Sequence, residues 1–469
     1  MSSPKTLTPE DRHHLTTWEN HQDDGSELIG LDGGFTFISI VERLPKILQS
    51  MMDSNRNDLL FQSEQGLKMI EKLRELKQEL EKGDVCTKFR IGQCSSSSFE
   101  YDDEEKCRDL KEWKEYEEKF RVSEKTWLEL PWFFVENYFY RLILDITDYW
   151  KKDSPFYQWD PFARQKQKSL DIVFAKNKDS QSVADQFSQL LNELPSLSTS
   201  NHENGDIISK KQMDLMREVI VLSLWGNQAD LSLSTGLHCS EESFKKVLEE
   251  SIISNDLSQV MKMLQVLKTN SNTSIAIILD NCGLELVSDL YMADSLIRLG
   301  FCNNVTFLAK YQPVFVSDVT ERDFRMTIQQ FQEKDSLVKT FGDRFSNYLN
   351  ETKQWKLISH PFFTSPLPYT LIPEDLACEL RKHDFIFMKG DANYRRTLND
   401  AKLPLEQDFN QTLQYFPYNN GLCCLRTIKS YSLIGIKDFE KLKALSEKHQ
   451  NWRFSGDFGV VQVSFKEKK

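Results

Sequence analysis

The stretch SIAIILDNCGLELVSDLYMADSLIRLG, residues 274–300, decides the fold class of this sequence. Residues 274–279 are apolar and rich in β-branched side chains, as in a buried strand. Residues 284–299 follow with the pattern of a helix, and the polar pair Asp280-Asn281 stands between the two elements. A strand that passes directly into a helix indicates a layered α/β sheet whose strands are largely parallel.

The same alternation continues toward the end of the chain. Further strands are predicted at residues 304–309, 384–388, 421–425 and 458–465, and a helix at residues 320–332. In sheets of this kind, ligands bind beyond the carboxyl ends of the strands, at a switch in strand order. We therefore expect the functional residues to follow the strands.

The first half of the sequence has the spacing of amphipathic and buried helices. Helices are predicted at residues 41–52, 59–80 and 127–149. Amphipathic helices of this type most often cover a core. The predicted organisation is a flexible N-terminus over residues 1–34, a helical N-terminal sub-domain over residues 35–190 and an α/β core over residues 207–469.

The composition excludes several classes of protein. The 469 residues are 39% hydrophobic and 12% aromatic, which rules out a disordered chain. Lys and Arg number 59 against 71 Asp and Glu, so the formal charge is −12. A general nucleic-acid binder neutralises phosphates with basic residues, so no nucleic-acid partner is expected.

The sequence contains neither a segment typical of a membrane span nor a segment typical of a secretion signal, so we expect no membrane partner and no secretion. The most apolar stretch, residues 127–150, contains several charged residues, which are costly in a membrane span. The N-terminus has no apolar signal region, and the nine cysteines form no CxxC pair. We expect a cytoplasmic location, with a nuclear one left open.

Polar residues at the predicted strand ends carry the first sign of chemistry. Asp280 and Asn281 directly follow one strand, Asp318 lies in the loop after the next, and Asp391 comes three residues after the end of a third. If these strands are parallel neighbours, the side chains lie at one edge of the sheet. A cluster of Asp and Asn oxygens suits Mg²⁺ or Mn²⁺ rather than zinc. The alternative is that each Asp caps a turn or a helix.

Basic residues lie where a phosphate would need them. Lys389, Arg395 and Arg396 flank Asp391, and Arg426 and Lys429 follow the strand at residues 421–425. Arg can bind phosphate oxygens with two hydrogen bonds, and Lys supplies a compact charge. The alternative is that these are solvated loop charges. The sequence has no Walker A loop and no GxGxxG motif.

Several segments together resemble one known family. They are IILDNCGLELVSDLYMADSLI, LSLWGNQADLSLSTG, KGDANYRR, RTIK and, in the helical half, PWFFVENYFYR. They are similar to the damage-control phosphatase family, specifically its sugar-phosphate phosphatase subfamily III, which is also described as an acidic-residue or protein-glutamate O-methyltransferase. The resemblance implies a three-layer α/β/α, Rossmann-like core with a helical N-terminal region.

The resemblance also implies roles for individual residues. The metal ligands carry over to Asp280, Asn281 and Asp318. The substrate-binding residues carry over to Asp280, Asn281, Asp391, Ala392, Asn393, Tyr394, Arg395 and Lys429. Glu285 and Asp318 correspond to positions assigned to S-adenosylmethionine in the methyltransferase description. In GDANYRR, Ala392 stands where the family usually has leucine, which affects substrate preference more than the metal ligands.

The preferred hypothesis is metal-dependent hydrolysis of sugar phosphates of the fructose-1-phosphate and fructose-6-phosphate type, in a metabolite damage-control role, with Mn²⁺, Mg²⁺, Co²⁺ or Ni²⁺. Asp280 and Asp391 are the predicted catalytic residues, with Asp391 positioning or deprotonating a water unless Asp280 is itself the nucleophile. Lys389, Arg395 and Lys429 would orient the phosphate, and Tyr394 and Trp225 could shape a sugar pocket.

Two alternatives belong to other classes. The first is S-adenosylmethionine-dependent methylation of glutamates in a protein substrate, which would use Glu285 and Asp318. The second is a non-catalytic interaction protein that uses the acidic loop at residues 99–105. The sequence leaves open the physiological substrate, the preferred metal, the nucleophile and the oligomeric state.

Overall fold

The structure is a computed structural model of the chain. It describes residues 35–83, 91, 104–177, 180–192, 194, 210–226, 250–268 and 272–466. The predicted flexible segment 1–34 and residues 99–103 of the acidic loop lie outside the described residues. The chain divides into two compact units, which are Met1–Gln165, Gln312–Ser317 and Thr364–Pro366 on the one hand, and Lys166–Tyr311, Asp318–Phe363 and Leu367–Lys469 on the other.

The first unit is helical in its described residues. Its α-helices are α1 (Phe35–Ile38), α2 (Leu44–Asn55), α3 (Leu59–Gln62), α4 (Glu64–Lys82), α5 (Glu104–Lys119) and α6 (Trp132–Ile146). A π-helical segment, Ser39–Arg43, precedes α2, and short 3₁₀ helices occur at Val122–Glu124 and Trp127–Glu129. The core of this unit combines buried aliphatic residues with many buried aromatic ones, including Trp113, Trp127, Phe134 and Tyr138.

Two of the predicted helices in this unit are interrupted. The helix predicted at residues 59–80 stops at Ser63, whose side chain accepts a hydrogen bond from the Gly66 backbone N–H and so starts a new helix. The helix predicted at residues 127–149 begins only after Pro131, which precedes the first turn of α6. Proline lacks the N–H that a helix interior requires but is accepted at a helix start.

Seven strands form one sheet within the described residues of the second unit. They are β1 (Ile252–Asn255), β2 (Ser274–Ile278), β3 (Asn304–Lys310), β4 (Trp355–His360), β5 (Phe385–Lys389), β6 (Gly421–Thr427) and β7 (Gly459–Phe465). Their order across the sheet is β1-β7-β6-β5-β2-β3-β4. Neighbouring strands are parallel except β6 and β7, which pair antiparallel.

The predicted strands at residues 274–279, 304–309, 384–388, 421–425 and 458–465 are confirmed, but two strands were missed. β4 lies at the edge of the sheet, and its sequence WKLISH is only partly buried, so it has no continuous apolar run. β1, at the other edge, has just four residues. Both edge strands lack the length or the apolar character by which buried strands are recognised.

Helices lie on both faces of this sheet. The α-helices are α7 (Ala163–Phe174), α8 (Val183–Asn192), α9 (Lys210–Trp225), α10 (Leu257–Lys268), α11 (Leu284–Arg298), α12 (Glu321–Gln332), α13 (Ser336–Asn350), α14 (Glu374–Leu380), α15 (Asp391–Thr397), α16 (Phe409–Thr412) and α17 (Phe439–Lys448). Further 3₁₀ helices occur at Pro361–Thr364, Tyr369–Leu371 and Leu413–Tyr415. No helix in the described part of the chain is long and apolar enough to span a membrane.

The alternation of side chains along β2 shows the layers directly. Ile275 and Ile277 belong to a core cluster that includes residues of α10 and α11, whereas Ala276 and Ile278 belong to a separate cluster on the opposite face. Successive strand residues point to opposite faces of a sheet. The predicted three-layer α/β/α architecture is therefore confirmed.

The strand order places a topological switch beside β2. From β2 the chain moves to β3 and β4 on one side, and it then returns to β5 on the other side of β2. Parallel α/β sheets bind their ligands in the crevice at such a switch, beyond the carboxyl ends of the strands. Asp280 follows β2 and Gly390-Asp391 follows β5, so both segments lie at this position.

Candidate active site

The three predicted metal ligands come together beyond the carboxyl ends of β2 and β3. The Val319 backbone N–H donates to the Asp280 carbonyl oxygen at 2.8 Å, and Asn281 and Asp318 form an isolated antiparallel bridge. Backbone hydrogen bonds thus fasten the loop after β3 to the end of β2. This arrangement explains how ligands nearly forty residues apart in the chain occupy one site.

Two buried carboxylates dominate the electrostatics of this site. Asp280 and Asp318 are only 5% and 2% exposed. Burial raises the pKa of Asp280 well above its ordinary value, and the nearby Asp318 and Glu285 carboxylates raise that pKa further. Burial also raises the pKa of Asp318. Because these anions disfavour one another's charge, a bound cation would stabilise their ionised forms.

The residues present fit a divalent cation. A Cβ atom at Gly390 would lie 1.9 Å from Asp280 Oδ2, so only glycine lets the Asp280 carboxylate occupy this position. Carboxylate and amide oxygens are the donors that hard cations prefer. Among the described residues no group of three or more His, Cys, Asp or Glu is arranged for a metal. Asp280, Asn281 and Asp318 offer fewer oxygen ligands than the octahedral coordination of Mg²⁺ needs, and Mg²⁺ in proteins usually keeps several waters.

The Asn281 side chain links Asp280 to a further acid, Glu285. Its Nδ2 donates to Asp280 Oδ2 at 2.6 Å and to Glu285 Oε2 at 3.0 Å. Glu285 lies in the first turn of α11 and is buried. Donation of the amide N–H groups to two carboxylates fixes the orientation of the Asn281 side chain.

Lys389 does not occupy the phosphate-facing position predicted for it. The side chain is fully buried, and its Nζ lies 2.9 Å from Asp289 Oδ1 and 3.3 Å from Glu285 Oε1. It also donates to Ser223 Oγ at 2.8 Å. Burial raises the pKa of Asp289 to about 6, against the opposing charge of Lys389. The buried Lys389 therefore helps to position the Glu285 carboxylate, which in turn accepts a hydrogen bond from the Asn281 side chain.

Asp391 is the acceptor at the centre of a second polar group. It accepts from Arg426 Nε at 2.8 Å, from the Lys429 backbone N–H at 3.1 Å and from Ser430 Oγ at 3.2 Å. Burial opposes ionisation, but the Arg426 and Arg395 guanidinium groups hold the pKa of Asp391 below its ordinary value. A carboxylate with a lowered pKa is a weak proton acceptor. The geometry favours a positioning role for Asp391 over the predicted deprotonation of water.

The remaining residues of the KGDANYRR segment are mostly engaged inside the protein. Arg395 forms two hydrogen bonds with Asp400, from Nε to Oδ1 at 2.7 Å and from Nη2 to Oδ2 at 2.8 Å. Asn393 Nδ2 donates to the carbonyl oxygens of Leu279 and Lys389, at 3.1 and 2.8 Å. Asn393 thus joins the ends of β2 and β5 instead of facing a ligand.

The predicted aromatic lining of a sugar pocket is not supported by the packing. Tyr394 is fully buried, and its hydroxyl donates to Gln462 Oε1 at 2.8 Å. Trp225 is also buried, within the core beneath the sheet. Ala392, in contrast, is partly exposed in the first turn of α15. Several residues of this segment that the resemblance assigns to substrate binding thus make internal contacts.

Two lysines face the aspartate pair. Lys429 is partly exposed, and its positive charge offsets some of the rise in the pKa of Asp280. Its ammonium has no hydrogen-bond or ion-pair partner in the part of the chain that the structure describes. Of the three cations predicted to orient a phosphate, it alone is not committed to a carboxylate, since Lys389 and Arg395 both are.

Lys310 was missed by the sequence reasoning. It is the last residue of β3, it is 2% exposed, and its Nζ lies 3.0 Å from Asp318 Oδ2 and 4.0 Å from Asp280 Oδ1. The strand NVTFLAK ends in lysine where the neighbouring strand is followed by aspartate. Lys310 directly follows the predicted strand at residues 304–309, and a charged residue in that position was the available signal. In the structure Lys310 is itself the last residue of the strand.

Comparisons with known proteins agree with the resemblance seen in the sequence. The family model for the damage-control phosphatase ARMT1-like domain matches residues 39–444. The damage-control phosphatase ARMT1 of Danio rerio is 31% identical over 460 residues, covering 92% of this chain and 95% of that protein. The Mus musculus protein of the same name is 29% identical over 456 residues, covering 92% and 96%.

The comparison with solved structures gives weaker information than the sequence comparisons. A DUF89 family protein from Pyrococcus horikoshii is 14% identical, and the alignment covers 81% of this chain and 93% of that chain. The TM-score is 0.37, which is too low to support a conclusion.

Proposed function

The chain belongs to the damage-control phosphatase ARMT1-like family, and on that premise we propose that it is a divalent-metal-dependent phosphatase that hydrolyses sugar phosphates. One observation carries this proposal. Two buried carboxylates, Asp280 and Asp318, lie together at the switch point of the sheet, with the Lys429 ammonium nearby. The site thus offers anionic oxygens to a metal and a cation to a phosphate.

Different side chains would bind the metal and the phosphate. Asp280, Asn281 and Asp318 would hold the divalent cation, with Mn²⁺, Mg²⁺, Co²⁺ and Ni²⁺ as candidates. A cation bound there would supply polarisation of a phosphoryl oxygen. Glu285 and Lys389 keep Asn281 in place from the buried side of the site. These contacts fix the side chains through the protein's own groups, which is the preorganisation that electrostatic catalysis requires.

The phosphate would be bound from the other side of the site by Lys429. Asp391 holds the Lys429 backbone N–H, and it also pairs with Arg426, whose Nη2 is 2.7 Å from Asp391 Oδ1. Arg426 is fully buried, so this pair is a rigid support for the loop that follows β6. We propose that Asp391 orients this loop and that Lys429 stabilises negative charge on the transferring phosphoryl group.

The experiment is a metal-dependence assay. The protein is incubated with a panel of phosphorylated sugars, including fructose 1-phosphate and fructose 6-phosphate, with each of the four metals or with a chelator, and released phosphate is measured. Asp280→Asn keeps the shape of the side chain but removes an anionic ligand, so phosphate release should fall to background. Asp343→Asn, at an exposed position in α13, is the matched control and should retain activity.

Two results would refute the proposal. The first is phosphate release that is equally fast in chelator, because it would remove the role of the metal. The second is a fully active Asp280→Asn protein. A preference for phosphorylated compounds other than sugars would leave the metal site in place but would change the proposed substrate.

The methyltransferase alternative remains an untested prediction that no contact in the structure favours. Glu285 is 2% exposed and is engaged by Asn281 and Lys389. A direct test is calorimetry with S-adenosylmethionine. Tight binding that is lost in Glu285→Gln would support the alternative.

A further inference from the structure

Lys310 brings a buried positive charge to the proposed metal ligands. Its Nζ is 3.0 Å from Asp318 Oδ2 and 4.0 Å from Asp280 Oδ1, and its side chain is 2% exposed. Removing an ammonium group from water is costly unless the group is paired with an anion. The anions that stabilise Lys310 are therefore the same two carboxylates that are proposed to bind the metal.

The neighbouring cations have other partners or other positions. Lys166, whose charge also acts on Asp318, is 2.7 Å from Asp323 Oδ2 and is thus paired outside the proposed ligand set. Lys429 is partly exposed and acts on Asp280 from the loop after β6. Lys310 differs from Lys429 because it is buried, and it differs from Lys166, which is also buried, because its ion-pair partner is one of the proposed ligand carboxylates. A divalent cation on Asp318 would share that carboxylate with the Lys310 ammonium.

We propose that Lys310 is the resident counter-cation of the site, a positioning residue that holds Asp280 and Asp318 together before the metal binds and that lowers the affinity of the site for the metal. This inference rests on the proposed function, since it needs a metal on these ligands. A fixed positive charge next to the ligands repels a divalent ion, and Lys310 stabilises the protein without metal by offsetting carboxylate repulsion. The metal therefore enters a site whose negative charge is already partly compensated by an internal cation.

The test compares Lys310→Met with wild-type protein by calorimetric titration with Mn²⁺ or Mg²⁺, without any substrate. Methionine keeps the length and the apolar stem but removes the charge. We expect the variant to bind metal at least about tenfold more tightly, because a full charge near the ligands is lost. We also expect a lower melting temperature without metal and a larger increase when metal is added.

The matched control is Lys356→Met, in the neighbouring strand β4. Lys356 is exposed and paired with Glu379, so metal affinity should stay at the wild-type value in this variant. A Lys310→Met protein with unchanged or weaker metal affinity overturns the inference. A purely structural role for Lys310 predicts that result, because loosened ligands bind a metal less well.

Two further outcomes are informative. If the wild-type protein binds no divalent metal, both the proposed function and this inference fail, whereas metal binding with equal affinity in wild type and Lys310→Met removes this inference alone. If Lys310→Met does not fold even with metal, the double variant Lys310→Met/Asp318→Asn should fold, since it removes both members of the buried pair. Failure of the double variant to fold would show that Lys310 acts through packing and would overturn the proposal.

Discussion

Replacing Lys429 by methionine should lower kcat/KM for a phosphate ester by about ten- to a hundredfold. The substitution leaves the backbone contact to Asp391 in place, because the Lys429 N–H donates that hydrogen bond. It removes only the ammonium, whose charge acts on Asp280 from the loop after β6. Metal affinity should change by no more than a few-fold, toward tighter binding, since one positive charge near the ligands is lost.

The magnitude follows from the type of contact and its exposure. A hydrogen bond from a charged group contributes about 1.5–3 kcal/mol, and roughly 1.4 kcal/mol corresponds to a factor of ten in rate. Lys429 is partly exposed, and solvent screens its charge. We therefore expect a loss nearer to tenfold than to a hundredfold, visible in kcat as well as in KM.

The assay is steady-state phosphate release at saturating metal, together with calorimetric titration of the metal. Lys437→Met is the control, because Lys437 is exposed and its Nζ lies 3.5 Å from Asp256 Oδ1, away from the site. Near-wild-type kinetics in Lys429→Met, or an equal loss in the control, would refute the assignment of Lys429 to the phosphate. Asp280, Asn281 and Asp318 would then remain the proposed metal ligands, without a phosphate contact assigned beside them.

Two further substitutions test the surroundings of the site. Gly390→Ala should abolish metal binding in calorimetry, because its Cβ would overlap Asp280 Oδ2, whereas Gly300→Ala, which has a similar positive φ and its nearest neighbouring atom at 3.8 Å, should bind metal normally. Arg395→Met should lower the free energy of unfolding by about 3–5 kcal/mol in denaturant titrations, because it leaves the largely buried Asp400 carboxylate without its cationic partner and, among the described residues, with only the Ser432 hydroxyl donating to its side chain. A stable Arg395→Met protein with a large kinetic defect would instead show that Arg395 binds substrate.

The central part of the fold could be predicted because its signals are local. Buried parallel strands are continuous apolar runs, and β2, β3 and β5 all have that form. β4 carries lysine, serine and histidine, since an edge strand is covered on fewer sides. The late start of the helix predicted at residues 127–149 also had a local signal, which was the proline at position 131. The apolar character of the stretch obscured that signal.

The candidate site could be predicted only in part, because strand ends fix the position of a residue but not its partners. Strand order brought Asp280 and Asp318 together, as expected for neighbouring parallel strands. The partner of a lysine or arginine depends on tertiary contacts that leave no mark in the sequence near it. Lys389 lies next to the site in sequence, yet it pairs with Asp289, one hundred residues away. Sequence spacing alone could therefore not distinguish Lys389 and Arg395, which are paired with carboxylates, from Lys429, which has no such partner among the described residues.

The distribution of charge among the described residues supports the proposal that a metal and a phosphate bind together. Asp391 is balanced by Arg426, and Lys310 is balanced by Asp318. Asp280 is 4.0 Å from its nearest cation and is crowded by other carboxylates, while the Lys429 ammonium has no ion-pair partner among the described residues. A carboxylate without a close cation and an ammonium without an ion-pair partner among the described residues therefore face the same crevice. A divalent cation alone would leave Lys429 uncompensated, and a phosphate alone would be repelled by Asp280, so these charges support the proposal that a phosphate ester binds together with a metal.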